Sequence, residues 1–109
     1  MSVEETEVID IISFDKSNGP VQLTIFDHLE WEEKEGEHLL LLQDKINAYL
    51  RFIEGGEVVK NYPKAKGRKI VIEVLGKYPL SQEAKKFYRL CSEIVEKAGF
   101  KLEFRLHED

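Results

Sequence analysis

The sequence predicts a two-layer α/β sandwich: a mixed sheet of four to five strands with two helices on one face, in the order ββα(β)βαβ. Three observations carry this. Two stretches, Glu37 to Glu54 and Ala84 to Ala98, repeat apolar residues at helical spacing. Short runs rich in β-branched and aromatic residues precede, separate and follow them. The strand–helix–strand steps take right-handed crossovers, and two in the same direction bring both helices to one face.

Residues 1–7 are polar and are expected to fray. Val8 to Phe14 has strand composition, and Val21 to Phe26 alternates Val21, Leu23 and Ile25 with Gln22 and Thr24. Between them Asn18-Gly19 tolerates positive φ, so the two runs read as a hairpin. In the long helix Leu39, Leu42, Ile46, Leu50 and Ile53 form the apolar stripe, widened by Leu40, Leu41, Tyr49 and Phe52. Asp44, Lys45, Asn47 and Arg51 fall between them and are expected to face water. Gly55 is the expected left-handed cap. Glu57 to Lys60 reads as a short strand or an irregular link.

Tyr62-Pro63 opens a turn that ends at Gly67, and Lys69 to Leu75 is the next strand. Both faces of that strand are partly apolar, as in an interior position. Ser81 is a good N-cap for the second helix, whose stripe is Ala84, Phe87, Tyr88, Cys91, Ile94, Val95 and Ala98. Gly99 caps its far end. Phe100, Leu102, Phe104 and Leu106 then alternate with Lys101, Glu103, Arg105 and His107, a half-buried last strand. Residues 8–107 thus make one domain. Val71, Leu75 and one face of the first strand are left on the uncovered side, which raises the prospect of a dimer through the sheet.

At 42% hydrophobic and 34% charged, the 109 residues suit a globular domain that needs no disulfide or metal to fold. The single cysteine, Cys91, fits a reducing compartment. No basic-then-apolar leader and no run of about 20 apolar residues occurs, so the expectation is cytoplasmic, with no membrane partner. The net charge of −5 is uneven. Residues 1–37 hold eleven acids against Lys16 and Lys34, while residues 60–70 hold Lys60, Lys64, Lys66, Arg68 and Lys69 and no acid. Overall acidity disfavours nucleic acid as a partner without excluding it. The bland account is that the two regions balance one another.

No serine sits on a strand–turn–helix elbow, and Cys91 lies on an apolar helix stripe, so no catalytic residue is assigned. His28, His38 and His107 lack the spacing of a helical metal site, no CxxC occurs, and neither metal nor cofactor is assigned. Asp27 and His28 follow a strand, where α/β sheets place ligands, although Asp27 also suits a loop cap. Trp31 reads as a cover for the core edge or a contact anchor. Tyr62, Lys64, Lys66, Arg68 and Lys69 form a basic loop able to hold a phosphate or stack a base, without the glycine spacing of a P-loop.

Asp27-His28-Leu29, Glu37-His38-Leu39 through Gln43, Lys45-Ile46-Asn47, Tyr49-Leu50 and Phe52-Ile53-Glu54 form a recognisable set. Tyr62-Pro63, Ala65-Lys66-Gly67 and Lys77-Tyr78-Pro79 belong with them. Together they resemble a family of small uncharacterised bacterial proteins, common in Bacillus-like organisms, known as a domain of unknown function. The resemblance spans Val8 to Phe104. It implies a bacterial single-domain protein and supplies no catalytic residue or ligand. The functional expectation is therefore a non-catalytic interaction module, binding itself or a protein partner. The alternative is a protein that binds a small anionic ligand or nucleic acid through loop 60–69, with Asp27 and His28 at the same pocket.

Overall fold

The computed structural model describes residues 11–14, 19–32 and 34–107. Its strands are β1 (Ile11–Phe14), β2 (Val21–Asp27), β3 (Ile70–Gly76) and β4 (Lys101–Leu106). Its helices are α1 (Glu35–Glu54), α2 (Glu57–Asn61) and α3 (Gln82–Lys97), with a 3-10 turn at Pro63–Ala65. The fold is α/β, with a mixed four-stranded sheet and the order ββααβαβ. Residues 1–7, the start of the first strand at Val8 to Asp10, and Asp15 to Asn18 of the hairpin turn lie outside the described residues.

The strands lie side by side in sequence order. β1 runs antiparallel to β2, and β2, β3 and β4 are parallel. Parallel neighbours need crossovers, and the chain supplies α1 for the first and α3 for the second. One face of the sheet presents Val21, Leu23 and Ile25 of β2, Ile70, Ile72 and Val74 of β3, and Leu102 of β4. These pack in one core with Leu42, Ile46, Tyr49 and Ile53 of α1 and Ala84, Tyr88 and Val95 of α3. Each such buried aliphatic side chain contributes about 1.5–3 kcal/mol relative to exposure. The Tyr49 hydroxyl donates to the Thr24 carbonyl at 3.0 Å, fastening α1 to the sheet.

The helix ends show why these spans form. Ser81 accepts from the Ala84 N–H at 3.1 Å, the expected N-cap of α3. Gly99, just past its end, has φ 94. α1 starts at Lys34 with no side-chain cap, and Glu35 and Glu37 in its first turn complement the helix dipole instead.

Several expectations need correction. Gly55 is right-handed, with φ −76, and the left-handed residue is Gly56, with φ 78. That reversal redirects the chain into α2, so Glu57 to Lys60 is helical and not a strand. Because β3 pairs directly with β2, no interior slot exists for an extra strand. Val58 anchors α2 to the core, at 1% exposed. Lys45 does not face water: it is fully buried, with Nζ 5.5 Å from the centre of the Tyr49 ring. It stands three residues after Leu42 and four before Tyr49, inside the stripe. Leu40 and Ile94, assigned to apolar stripes, are instead 60% and 61% exposed. Ala98 is likewise exposed.

On the face opposite the helices, Thr24 and Glu73 are buried, and Phe26, Val71 and Leu75 are half-buried. The large exposed apolar residues among those described are Leu40, Val59, Tyr62, Tyr78, Leu90 and Ile94, none of them on a strand.

Candidate functional site

The C-terminal ends of β2 and β3 hold a buried polar cluster. Asp27 closes β2 on the helix-facing side, and His38 lies in the first turns of α1. His38 Nε2 sits 2.6 Å from both carboxylate oxygens of Asp27, and its Nδ1 sits 3.1 Å from the Glu30 carbonyl oxygen. A carbonyl oxygen only accepts, so Nδ1 carries a proton that it donates there. On the other side of the ring, Nε2 and the carboxylate make a short polar contact. Trp31 stacks on the imidazole at 3.5 Å between ring centres and an interplanar angle of 18°. Asp27 Oδ1 also accepts from the Leu29 N–H at 3.2 Å, and the Asp27 carbonyl accepts from the Lys77 N–H at 2.9 Å.

Asp27 is 3% and His38 2% exposed. Both imidazole nitrogens are engaged, and the indole covers a ring face. The pair therefore acts as a clasp joining the end of β2, the 27–31 loop and the start of α1. As a general base it would first have to break its own hydrogen bonds. Sequence reasoning set Asp27 beside His28 and did not pair it with His38. The signal was present: His38 stands four residues before Leu42 and eight before Ile46, on the core stripe of α1.

Tyr88 of α3 lies close enough to feel the Asp27 charge. It is 7% exposed, and its hydroxyl is buried without a hydrogen-bond partner. Its ring meets Phe104 edge-on, with centroids 5.6 Å apart. Burial pushes the phenol well above its usual 10.0, and the nearby Asp27 carboxylate raises it further. The folded phenol thus keeps its proton to higher pH than the unfolded one. Its contribution is whole below pH 10.0 and is lost as pH rises beyond that. Tyr88→Phe is expected to raise stability at pH 7 by about 1 kcal/mol, because it removes an orphaned polar group without breaking a bond. The variant should also lose less stability than wild type above pH 10.0. Urea melts across pH read both effects; a loss of stability in the variant would mean that the hydroxyl is bonded after all.

His28 is exposed. With Phe26, Asp27, Leu75, Lys77 and His107 it lines a small crevice at the strand ends, so Asp27 borders both this crevice and the buried pair. The basic loop lies elsewhere. Val21 pairs with Ile70 and Asp27 with Gly76, so Lys69 and Asp27 mark opposite ends of the sheet. Lys64 and Lys66 are exposed, whereas Tyr62 packs on Phe14 at 5.7 Å and the Arg68 guanidinium lies 5.8 Å over the same ring. Lys69 rims a groove with Phe14, Gln22, Phe100 and Lys101. The structure does not bring Asp27 and His28 to this loop. Cys91 is half-buried against the core, and burial raises its thiol above 9.0, which lowers its reactivity near neutral pH.

The outer side of α3 offers a different kind of feature. Leu90 and Ile94 are each 61% exposed and one turn apart, beside half-buried Phe87. Their spacing sets them on a single flank.

A family model matches residues 1–108. The chain belongs to DUF6572, a family of unknown function. No curated protein and no solved structure matches it. In this DUF6572 chain no described helix is long and apolar enough to cross a membrane. Among the described residues no group of three or more histidine, cysteine or carboxylate side chains is placed to hold a metal ion.

Proposed function

We propose that this DUF6572 protein is a non-catalytic bacterial interaction module, cytoplasmic, that binds another protein surface through the outer flank of α3. The observation that carries the reading is the exposure of Leu90 and Ile94 on a domain whose other aliphatic residues are mostly enclosed. Exposed leucines scattered singly are ordinary; two adjacent ones beside an aromatic ring make a contact patch. The closed Asp27–His38 clasp favours the same reading, since the most polar buried cluster presents no free nitrogen to a substrate. The resemblance to small bacterial proteins supports the source and the compartment.

Leu90→Glu combined with Ile94→Glu tests this. Both side chains are exposed, so the melting temperature should change little. Retention of the native partner on an affinity column should fall by about tenfold or more. Unchanged retention with an intact fold would end the proposal.

A second reading keeps an anion site at the basic loop. Its support is the run of exposed cations Lys64, Lys66 and Lys69; Lys101, on the same groove rim as Lys69, is already paired with Glu103 at 3.2 Å. It requires salt-sensitive binding of nucleotides or oligonucleotides, weakened by Lys66→Ala.

A further inference from the structure

We infer that the partner for this flank is a second copy of the same chain, with two α3 helices packed antiparallel about a two-fold axis at Leu90. This rests on the reading of the flank as a protein-binding surface and names its occupant.

The argument comes from register. Glu83, Leu90 and Lys97 are separated by seven residues each, so they form one stripe along α3. Lys86 and Ile94 stand four residues to either side of Leu90 and border that stripe. All but Leu90 thus occur in pairs placed symmetrically about it. In an antiparallel two-fold pair, residues equidistant from the centre meet. Leu90 then faces the partner's Leu90, and Ile94 lies under the aliphatic stem of the partner's Lys86. Glu83 faces the partner's Lys97, and the same contact repeats at the other end. A parallel pair would instead set Glu83 against the partner's Glu83 and Lys97 against the partner's Lys97, which like charge opposes.

The surface is therefore complementary to itself, as a two-fold contact must be. Glu83 does pair with Lys86 of its own helix at 3.6 Å, but both side chains are well exposed, at 59% and 68%. Such a contact is weak and leaves Glu83 able to reach across. One flank of a 16-residue helix falls short of a standard protein interface. The dimer is consequently a weak one, whose population rises with concentration.

Sedimentation equilibrium from micromolar to millimolar protein decides the matter. Wild type should pass from monomer to dimer across that range. Leu90→Glu should weaken association by about tenfold or more. Glu83→Lys and Lys97→Glu should each weaken it several-fold, and the two together should restore it, because the exchanged charges again face each other. Leu40→Glu, at an equally exposed leucine on α1, should leave it unchanged. A monomer at every concentration overturns the self-pairing, as does failure of the charge exchange to restore it, or an equal effect from Leu40→Glu. A monomer whose partner retention still depends on Leu90 and Ile94 would leave the interaction reading standing and remove only this occupant. Loss of both results would remove the two together.

Discussion

Asp27→Ala is expected to destabilise the protein by about 3 kcal/mol or more, the largest effect of any single substitution considered for this chain. The carboxylate holds His38 at 2.6 Å in a site that is nearly closed to water. Its removal leaves a buried imidazole nitrogen with nothing to bond and also frees the Leu29 N–H. Asp27→Asn should fall between, since one amide oxygen still accepts while the amide nitrogen meets a ring nitrogen. Asp27→Leu with His38→Leu should cost less than the sum of the two single changes, because apolar replacement of both members leaves no stranded group. Urea denaturation of these five variants, the two single leucine changes included, gives this ordering directly. If Asp27→Ala lost well under 1 kcal/mol, the clasp would be ornamental and its burial would need another explanation.

Gly76→Ala is expected to cost about 1–3 kcal/mol through overpacking. A β-carbon there would stand 2.6 Å from Phe104 Cε2 and 2.9 Å from Cζ. The Phe104 ring cannot yield freely, because Tyr88 meets it edge-on. The penalty is steric, so it should shrink when Phe104→Leu is added, even though that second change alone removes packing. Thermal melts of the single and double variants check it. A double variant less stable than the sum of the single changes would place the strain elsewhere.

The periodicity of apolar residues was enough for the architecture. Alternation at Val21, Leu23 and Ile25 and at Ile70, Ile72 and Val74, with helical spacing between, leads to the parallel pairing of β2 and β3. It was not enough where one position decides between two environments. Lys45 has the spacing of a core residue and the chemistry of a surface one, and in the fold spacing won. Leu40 and Ile94 have apolar chemistry at the margins of their stripes, and there the geometry of the layer won. The cap at Gly55-Gly56 was legible as a glycine signal but not as to which glycine reverses the chain. His38 was hidden because Asp27 lies eleven residues earlier, beyond any local pattern. The Tyr88 hydroxyl lies farther still, on another helix. Such a cluster is visible only once two crossovers have folded.

The parallel centre of the sheet sets the order in which the chain can assemble. β2 and β3 are joined through residues 28–69, whereas β3 and β4 are joined through residues 77–100. The longer connection adds about 0.5 kcal/mol of closure entropy. The β3–α3–β4 unit can therefore form while β2 is still being sought. His38 meets Asp27 only when α1 settles against β2. Contacts so distant in sequence fold slowly, and until they form the edge of β3 lies open to any passing strand. The charged residues Lys101, Glu103 and Arg105 alternate along β4 at the opposite edge and discourage such pairing there. The vulnerable moment in the life of this protein is thus the interval before its second strand arrives.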